Sequence, residues 1–448
     1  MVRPRPEVAP AQPWSFPKPA SYQLGNGLRV ELFNRPGQHV TSTRLLVPAP
    51  LVVEPRDVEG VAAMVSRTMD EGTQSHSADE LAELFERDGV ALGAGYAARG
   101  LTVELEATTS HTERGWELLR ECLSEPVFPE AEVDRHVRQR LAEIDHEFAS
   151  PGNRAALEWS STFYESRSRA SRPAWGSTES VGRITSADCV RFHQQWVRPG
   201  GATVVVAGDL DEPVVLASLE RTLGQWHTES PADADDSLAA IVAEATPRLV
   251  FVDRPGSVQT EIMIGSLGPD RRAPGGWAPY PALSFVLGGA PTARLDSVLR
   301  EEKGFTYGFR AGFRPRSSGG TFFAAGSVRA DATVEALEIA LDVLDGAGRG
   351  FTGTEARMAV DYIGKTAPAR YATADAVADE AASLRLDGLS TGFVTDYLAQ
   401  LATLTAADLD RAWQLWANQP RCIVLVGDAQ LYADAVRSLD VGGVTVVH

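Results

Sequence analysis

Few residues in this chain have types and spacings that could do chemistry. His136, Glu143 and His146 lie on one stretch, and Glu143-x-x-His146 has the spacing of two ligands on a helix face. Metal ligands must converge within about 2.0–2.3 Å of one ion, and one helix rarely supplies all of them. The stretch is also rich in Arg and Glu, the composition of a solvated helix, so its histidines read as surface. No HExxH pair, Walker glycine-lysine loop or Gly-x-Ser-x-Gly elbow occurs. Gly93-Ala-Gly95-Tyr-Ala-Ala98 imitates a dinucleotide fingerprint, but that motif needs a helix N-terminus after it to face the pyrophosphate. Leu101–Glu106, which follows, alternates like a strand, so nucleotide binding is rejected. Cys122, Cys189 and Cys422 are too scattered for a metal site or a disulfide framework, and read as thiols in a reducing compartment.

The elements around these residues mix periods. Helical periodicity runs over Gly60–Met69, Ser77–Glu86 and Thr112–Leu123, and Val133, Val137, Leu141 and Ile144 form an apolar stripe. Leu28–Phe33 alternates like a strand after the turn Gly25-Asn26-Gly27, and Ala202–Ala207 reads as a buried strand. The segment Ile184–Asp209 resembles Leu404–Asp428, with Thr185, Asp188 and Trp196 matched by Thr405, Asp408 and Trp416. Phe128–Glu132 echoes Phe351–Glu355 in the same way. A repeat this long is a duplicated domain, because solenoid periods run only to about 20–50 residues.

The expected organisation is a proline-rich arm over 1–24, a first domain over 25–226, a linker over 227–247 and a second domain over 248–448. Proline fixes φ and removes donors, so the arm should run extended over a neighbouring surface. Without strict βα alternation the class is α+β. Lys plus Arg total 42 against 60 Asp plus Glu, a formal charge of −18. That balance argues against nucleic acid and anionic membrane as partners. The N-terminus has no apolar core of a signal peptide and no stretch is long enough for a membrane span, so a cytoplasmic protein is expected.

Glu59-Gly60-Val-Ala-Ala-Met-Val-Ser-Arg-Thr-Met-Asp-Glu-Gly72-Thr73 resembles the first zinc helix of the insulinase/pitrilysin metallopeptidases, the inverzincins, whose motif is H-x-x-E-H. In that family Gly and Gly-Thr bracket the motif. Laid on Gly60 and Gly72-Thr73, the first His falls at Ala63, the catalytic Glu at Ser66 and the second His at Arg67. The third ligand, a later Glu, is matched by Glu143, and His136 replaces the family's second glutamate on that helix. Leu287-Gly288-Gly289 through Arg294-Leu295, Arg300, Gly304 and Tyr307-Gly308 resembles the family's C-terminal signature, with Ala293 where serine is usual. By themselves Arg300 and Tyr307 would read as a surface arginine and a core tyrosine. The resemblance implies instead that they enter the cleft opposite the zinc and hold the substrate carbonyl.

The implied fold is two duplicated α+β halves, each an antiparallel sheet packed with helices, facing each other across a chamber. The short, mitochondrial-processing-peptidase-like members of the family work as dimers in which one chain can carry zinc and the other the Arg/Tyr pair. This chain keeps the pair, so the implied role is the zinc-less subunit of a heteromeric zinc endopeptidase. Its partner would be a homologous H-x-x-E-H subunit, with a homodimer as the alternative when that partner is missing. Zinc is expected in the partner and no cofactor in this chain. Peptide or unfolded protein would be the substrate. The competing reading, from another class, is a peptide-binding or structural scaffold with no part in catalysis. In the vacated site, Arg67 is expected to pair with Glu143, since a carboxylate left facing a cleft without its ion is costly.

Overall fold

The run from Thr203 to Gly208 is buried throughout because its strand is covered on both faces. Val204 and Val206 join one core, while Val205 and Ala207 join another. This alternation sets the architecture seen in the computed structural model, which describes residues 9–228, 248–316, 319–439 and 441–448.

Strands β1 (Ala20–Gln23), β2 (Arg29–Asn34), β3 (Val40–Pro48), β4 (Ala91–Ala97), β5 (Gly100–Thr108) and β6 (Thr203–Gly208) make one sheet, ordered β1-β2-β6-β3-β5-β4. Strands β7 (Arg248–Asp253), β8 (Gln259–Gly268), β9 (Arg310–Arg314), β10 (Gly320–Arg329), β11 (Cys422–Gly427) and β12 (Val444–Val447) make the second, ordered β12-β7-β11-β8-β10-β9. The halves are α+β, and the sheets are mixed rather than antiparallel throughout. β2 runs parallel to β6, and β7 runs parallel to β11 and β12. β6 and β11 each sit between a parallel neighbour, β2 or β7, and an antiparallel one, β3 or β8, so each sheet is mixed about its central strand. Gly93 and Gly95 lie inside β4, paired with β5, so no helix N-terminus follows them.

The duplication extends to single hydrogen bonds. Thr185 and Thr405 each cap a helix through a reciprocal box with Asp188 and Asp408. Asp209 accepts the Gly37 N–H at 3.0 Å, and Asp428 accepts the Gly256 N–H at 2.8 Å. Each aspartate thereby ties the end of a central strand to the turn beyond its parallel neighbour.

Each half also lends a helix to the other. The helix Pro151–Phe163 of the first half lies on β8 and β11 of the second. Its Trp159 stacks on Phe163 at 4.3 Å and donates to the Cys422 carbonyl at 3.1 Å. Reciprocally, the helix Ala374–Leu386 of the second half lies on β3 and β6 of the first. Arg44 of β3 reaches across to Asp379 at 2.6 Å while also holding Glu106 at 2.8 Å. The inner face of each sheet is therefore closed in part by the other half.

Residues 9–19 run extended across the second half. Trp14 stacks on Tyr371 at 5.4 Å, and Phe16 meets both Tyr371 and Phe33 edge-on. The Phe16 N–H donates to Thr395 Oγ1 at 3.1 Å. Of the expected arm, residues 1–8 lie outside the described residues, and its last part is the edge strand β1. The expected linker lies outside them too, apart from residues 227 and 228.

Candidate functional site

The helix Val61–Thr68 starts at Gly60, whose φ of 104° is left-handed. A Cβ there would lie 3.0 Å from the Trp175 carbonyl oxygen, so the position needs glycine for both conformation and space. Gly72, with φ of 133°, closes the segment, and a Cβ there would press on Pro129 at 3.3 Å. The bracketing glycines of the zinc-helix resemblance are thus present with a physical reason.

What they bracket cannot bind a metal ion. Ala63 is fully buried, and Ser66 turns its hydroxyl back to donate to the Ala63 carbonyl at 2.8 Å. Arg67 points to Glu143 and makes two parallel bonds, Nη1 to Oε1 at 3.0 Å and Nη2 to Oε2 at 2.8 Å. The guanidinium carbon also sits 4.8 Å from the centre of the Trp175 ring. On its own helix, Glu130–Ala149, Glu143 receives further bonds from Gln139 at 3.2 Å and Arg140 at 3.3 Å. The Arg140 guanidinium carbon lies 5.8 Å from the centre of the same Trp175 ring, and Arg140 grips Glu147 at 2.6 and 3.1 Å. Two cations and one aromatic ring therefore occupy the surroundings of the one carboxylate a zinc ion would need. These residues do not fit zinc. Among the described residues no group of three His, Cys, Asp or Glu side chains is placed to hold a metal.

The bond from Arg67 holds the Glu143 carboxyl below the usual carboxylate range, against a smaller opposing effect of burial. A depressed folded-state pKa contributes stability that is present above the unfolded value, near 4.3, and is lost as pH falls through the folded one. Denaturant unfolding followed from pH 6 downward is expected to show a steeper acid loss for the wild type than for Glu143→Gln. Parallel curves would remove the pair from the stability account.

His136 lies apart from this pair. Its Nε2 is 2.6 Å from Glu71 Oε1, and Arg135 donates to the same oxygen at 2.6 Å. His146 makes no contact with Glu143 that would form a two-ligand face. Sequence reasoning missed Arg140, Gln139 and Trp175. The first two stood three and four residues before Glu143 on one helix and were readable by spacing. Trp175 comes from a distant loop and gave no signal.

In the second half, π-helical turns at Phe285–Gly289 and Ser297–Glu302 carry the Gly288-Gly289 and Arg300 parts of the signature, a distortion common at functional sites. Arg294 is structural. It forks onto Glu355 at 2.7 and 2.9 Å, bonds the Gly350 carbonyl and lies over Phe351. Asp296, fully buried, accepts the Phe309 N–H at 2.6 Å and fixes the loop that follows. On that loop Tyr307 is 93% exposed, which overturns the core reading of this side chain. Thr306 anchors the loop from below, its hydroxyl donating to the Ser327 carbonyl at 2.7 Å. Arg300 is half-exposed and 3.5 Å from Glu301. Among the described residues no hydrogen bond joins Arg300 to Tyr307, and neither touches Arg67 or Glu143.

Residues 29–170 match the family described as Insulinase (Peptidase family M16). Residues 183–361 match the Peptidase M16 inactive domain. An uncharacterized zinc protease of Mycobacterium tuberculosis is 24% identical over 364 residues, covering 79% of this chain and 80% of the relative. A protein of Helicobacter pylori called a non-peptidase homolog, YmxG, is 22% identical over 287 residues, 63% of each. Among solved structures, a peptidase M16 inactive domain from Pseudomonas fluorescens superposes with a TM-score of 0.83 at 23% identity, covering 92% of this chain and 98% of that one. The periplasmic protease PqqL of Escherichia coli gives 0.78 at 15%, covering 95% of this chain and 47% of that one. With the bracketing glycines, the Glu143 helix and the second-half signature in place, the chain belongs to the insulinase family of peptidases, with Ala63 and Arg67 where a first-half zinc site would need histidines.

Proposed function

We propose that this chain is the zinc-less subunit of a two-chain peptidase, supplying Arg300 and Tyr307 to a partner that carries H-x-x-E-H. The observation that carries the reading is the bidentate Arg67–Glu143 pair, which fills the family's metal position with a cation of the protein's own. The ion pair is backed by Trp175 and Arg140, while the second half keeps Arg300 and Tyr307. Similarity to an inactive domain and to a non-peptidase homologue supports the same division.

In this reading the partner provides the metal and its carboxylate base. Tyr307 donates its phenolic hydrogen to the carbonyl oxygen of a bound peptide, and Arg300 adds a fixed positive charge beside it. Both act on the charge that grows on that oxygen, and neither has to lie on the chain that holds the metal. The exposure of Tyr307 suits a group completed by a second surface. Peptides or unfolded segments are the substrates, in a cytoplasmic setting. No helix among the described residues is long and apolar enough to cross a membrane.

Alone, the chain is expected to cleave no peptide. Added to a homologue with an intact H-x-x-E-H motif, it should raise peptidase activity until the two are equimolar, with coelution on gel filtration. Coelution without any rise in rate would instead establish the scaffold reading.

A further inference from the structure

The inner face of the second sheet carries three arginines, two of which have no carboxylate partner among the described residues. Along β9, Ala311 and Phe313 turn into the core, while Arg310 and Arg314 turn to the opposite face. Register places Arg310 beside Ala325, which in turn lies beside Met263. Met263 and Ala325 pack with Trp159 of the lent helix, which identifies this side as the inner face.

Arg314 lies over Phe323, 3.9 Å from the ring centre. Arg316, just past the strand, lies 5.0 Å over Tyr164, a residue of the first half. Neither makes an ion pair with a described residue. Burial, and then the charge of Arg316, depress the Arg314 pKa. Arg310 is 57% exposed, and its nearest carboxylate is the buried Asp296 at 3.5 Å. A chain of net charge −18 has carboxylates to spare, yet it leaves two like charges side by side here. A guanidinium flat on a ring keeps its edge N–H groups free, and that edge matches a carboxylate in two-bond geometry.

We propose that Arg310, Arg314 and Arg316 form a carboxylate-reading wall that selects peptides with acidic side chains. The proposal rests on the reading of this chain as a peptide-handling subunit. Arg314 lies four residue steps along the strand from Arg310, about 13 Å, so the acids must be spaced along an extended peptide. That peptide lies across the face, because the outer edge of β9 is occupied. The Phe313 N–H donates to Ser284 Oγ at 3.1 Å, and Gly288 packs so closely that a Cβ there would be 2.2 Å from the Ala311 nitrogen. A phosphate chain is the competing anionic occupant, and the test distinguishes the two.

The test is fluorescence anisotropy of the full-length chain with one extended peptide made in Glu, Gln and Lys versions. Wild type should bind the Glu version about tenfold more tightly than the Gln version, a preference that shrinks with added salt. The double variant Arg314→Gln/Arg316→Gln should lose the preference while binding the Gln version as before. Charge reversal, Arg314→Glu/Arg316→Glu, should transfer the preference to the Lys version, which a merely misfolded wall would not do. Equal binding of Glu and Gln versions by wild type overturns the proposal, as does displacement of the Glu peptide by a single-stranded oligonucleotide of matching affinity. Both readouts need no partner, so failure of the two-chain peptidase reading shows separately, in the partner's rate.

Discussion

In the reconstituted two-chain peptidase, Tyr307→Phe should lower kcat by about 10²–10³ and leave KM near its wild-type value. The substitution deletes one hydroxyl from a side chain that is 93% exposed, so the loop held by Thr306 and Asp296 has no packing to lose. Peptide should still bind, because a neutral carbonyl gains little from the phenol. The loss falls on the step in which that oxygen acquires charge. Arg300→Ala should raise KM as well as lower kcat, since a cation beside the carbonyl also holds the ground state. Steady-state kinetics on complexes whose assembly is checked by gel filtration decide the matter. Wild-type turnover in both variants would make the pair structural.

The largest stability effect should come from Trp159→Ala, expected to cost about 3–5 kcal/mol. Trp159 is 5% exposed, stacks on Phe163, bonds the Cys422 carbonyl, and lies against Gly265 so closely that a Cβ there would be 2.4 Å from its ring. Removing it empties the seam where the lent helix meets β8 and β11 and leaves that carbonyl without its side-chain donor. Gly265→Val alone should also destabilise, by forcing the indole out. In the double variant the valine enters the space the indole left, so its loss should be smaller than the sum of the two single losses. Strict additivity in denaturant unfolding would show that the two positions do not share this seam.

The strands and helices named from periodicity are present because their causes are local. Alternation along Leu28–Phe33 and the apolar stripe from Val133 to Ile144 depend on neighbours within a few residues. The repeat from Ile184 and from Leu404 survives as matching caps and matching aspartates, because such bonds close within a turn or a strand end. An antiparallel sheet was expected in each half, and most neighbours are antiparallel. β6 and β11, however, each insert beside a strand far earlier in the chain that runs in the same direction, a long-range choice that local pattern does not record.

At the site, residue types alone determined that Ala63 cannot bind a metal ion and that Ser66 is no carboxylate base. Glu143 could be matched with Arg67 because two helices of the family fold bring those positions together. Only the tertiary structure decided that Trp175 lies beneath Arg67, that Arg140 reinforces Glu143, and that Tyr307 stands in solvent rather than in the core. It alone also decided that each half lends a helix to the other, Trp159 onto the second sheet and Asp379 onto the first. A local pattern states which face of an element is apolar but not which distant surface covers it. That choice is made by the chain's long-range packing, where shape and charge from both halves are satisfied together.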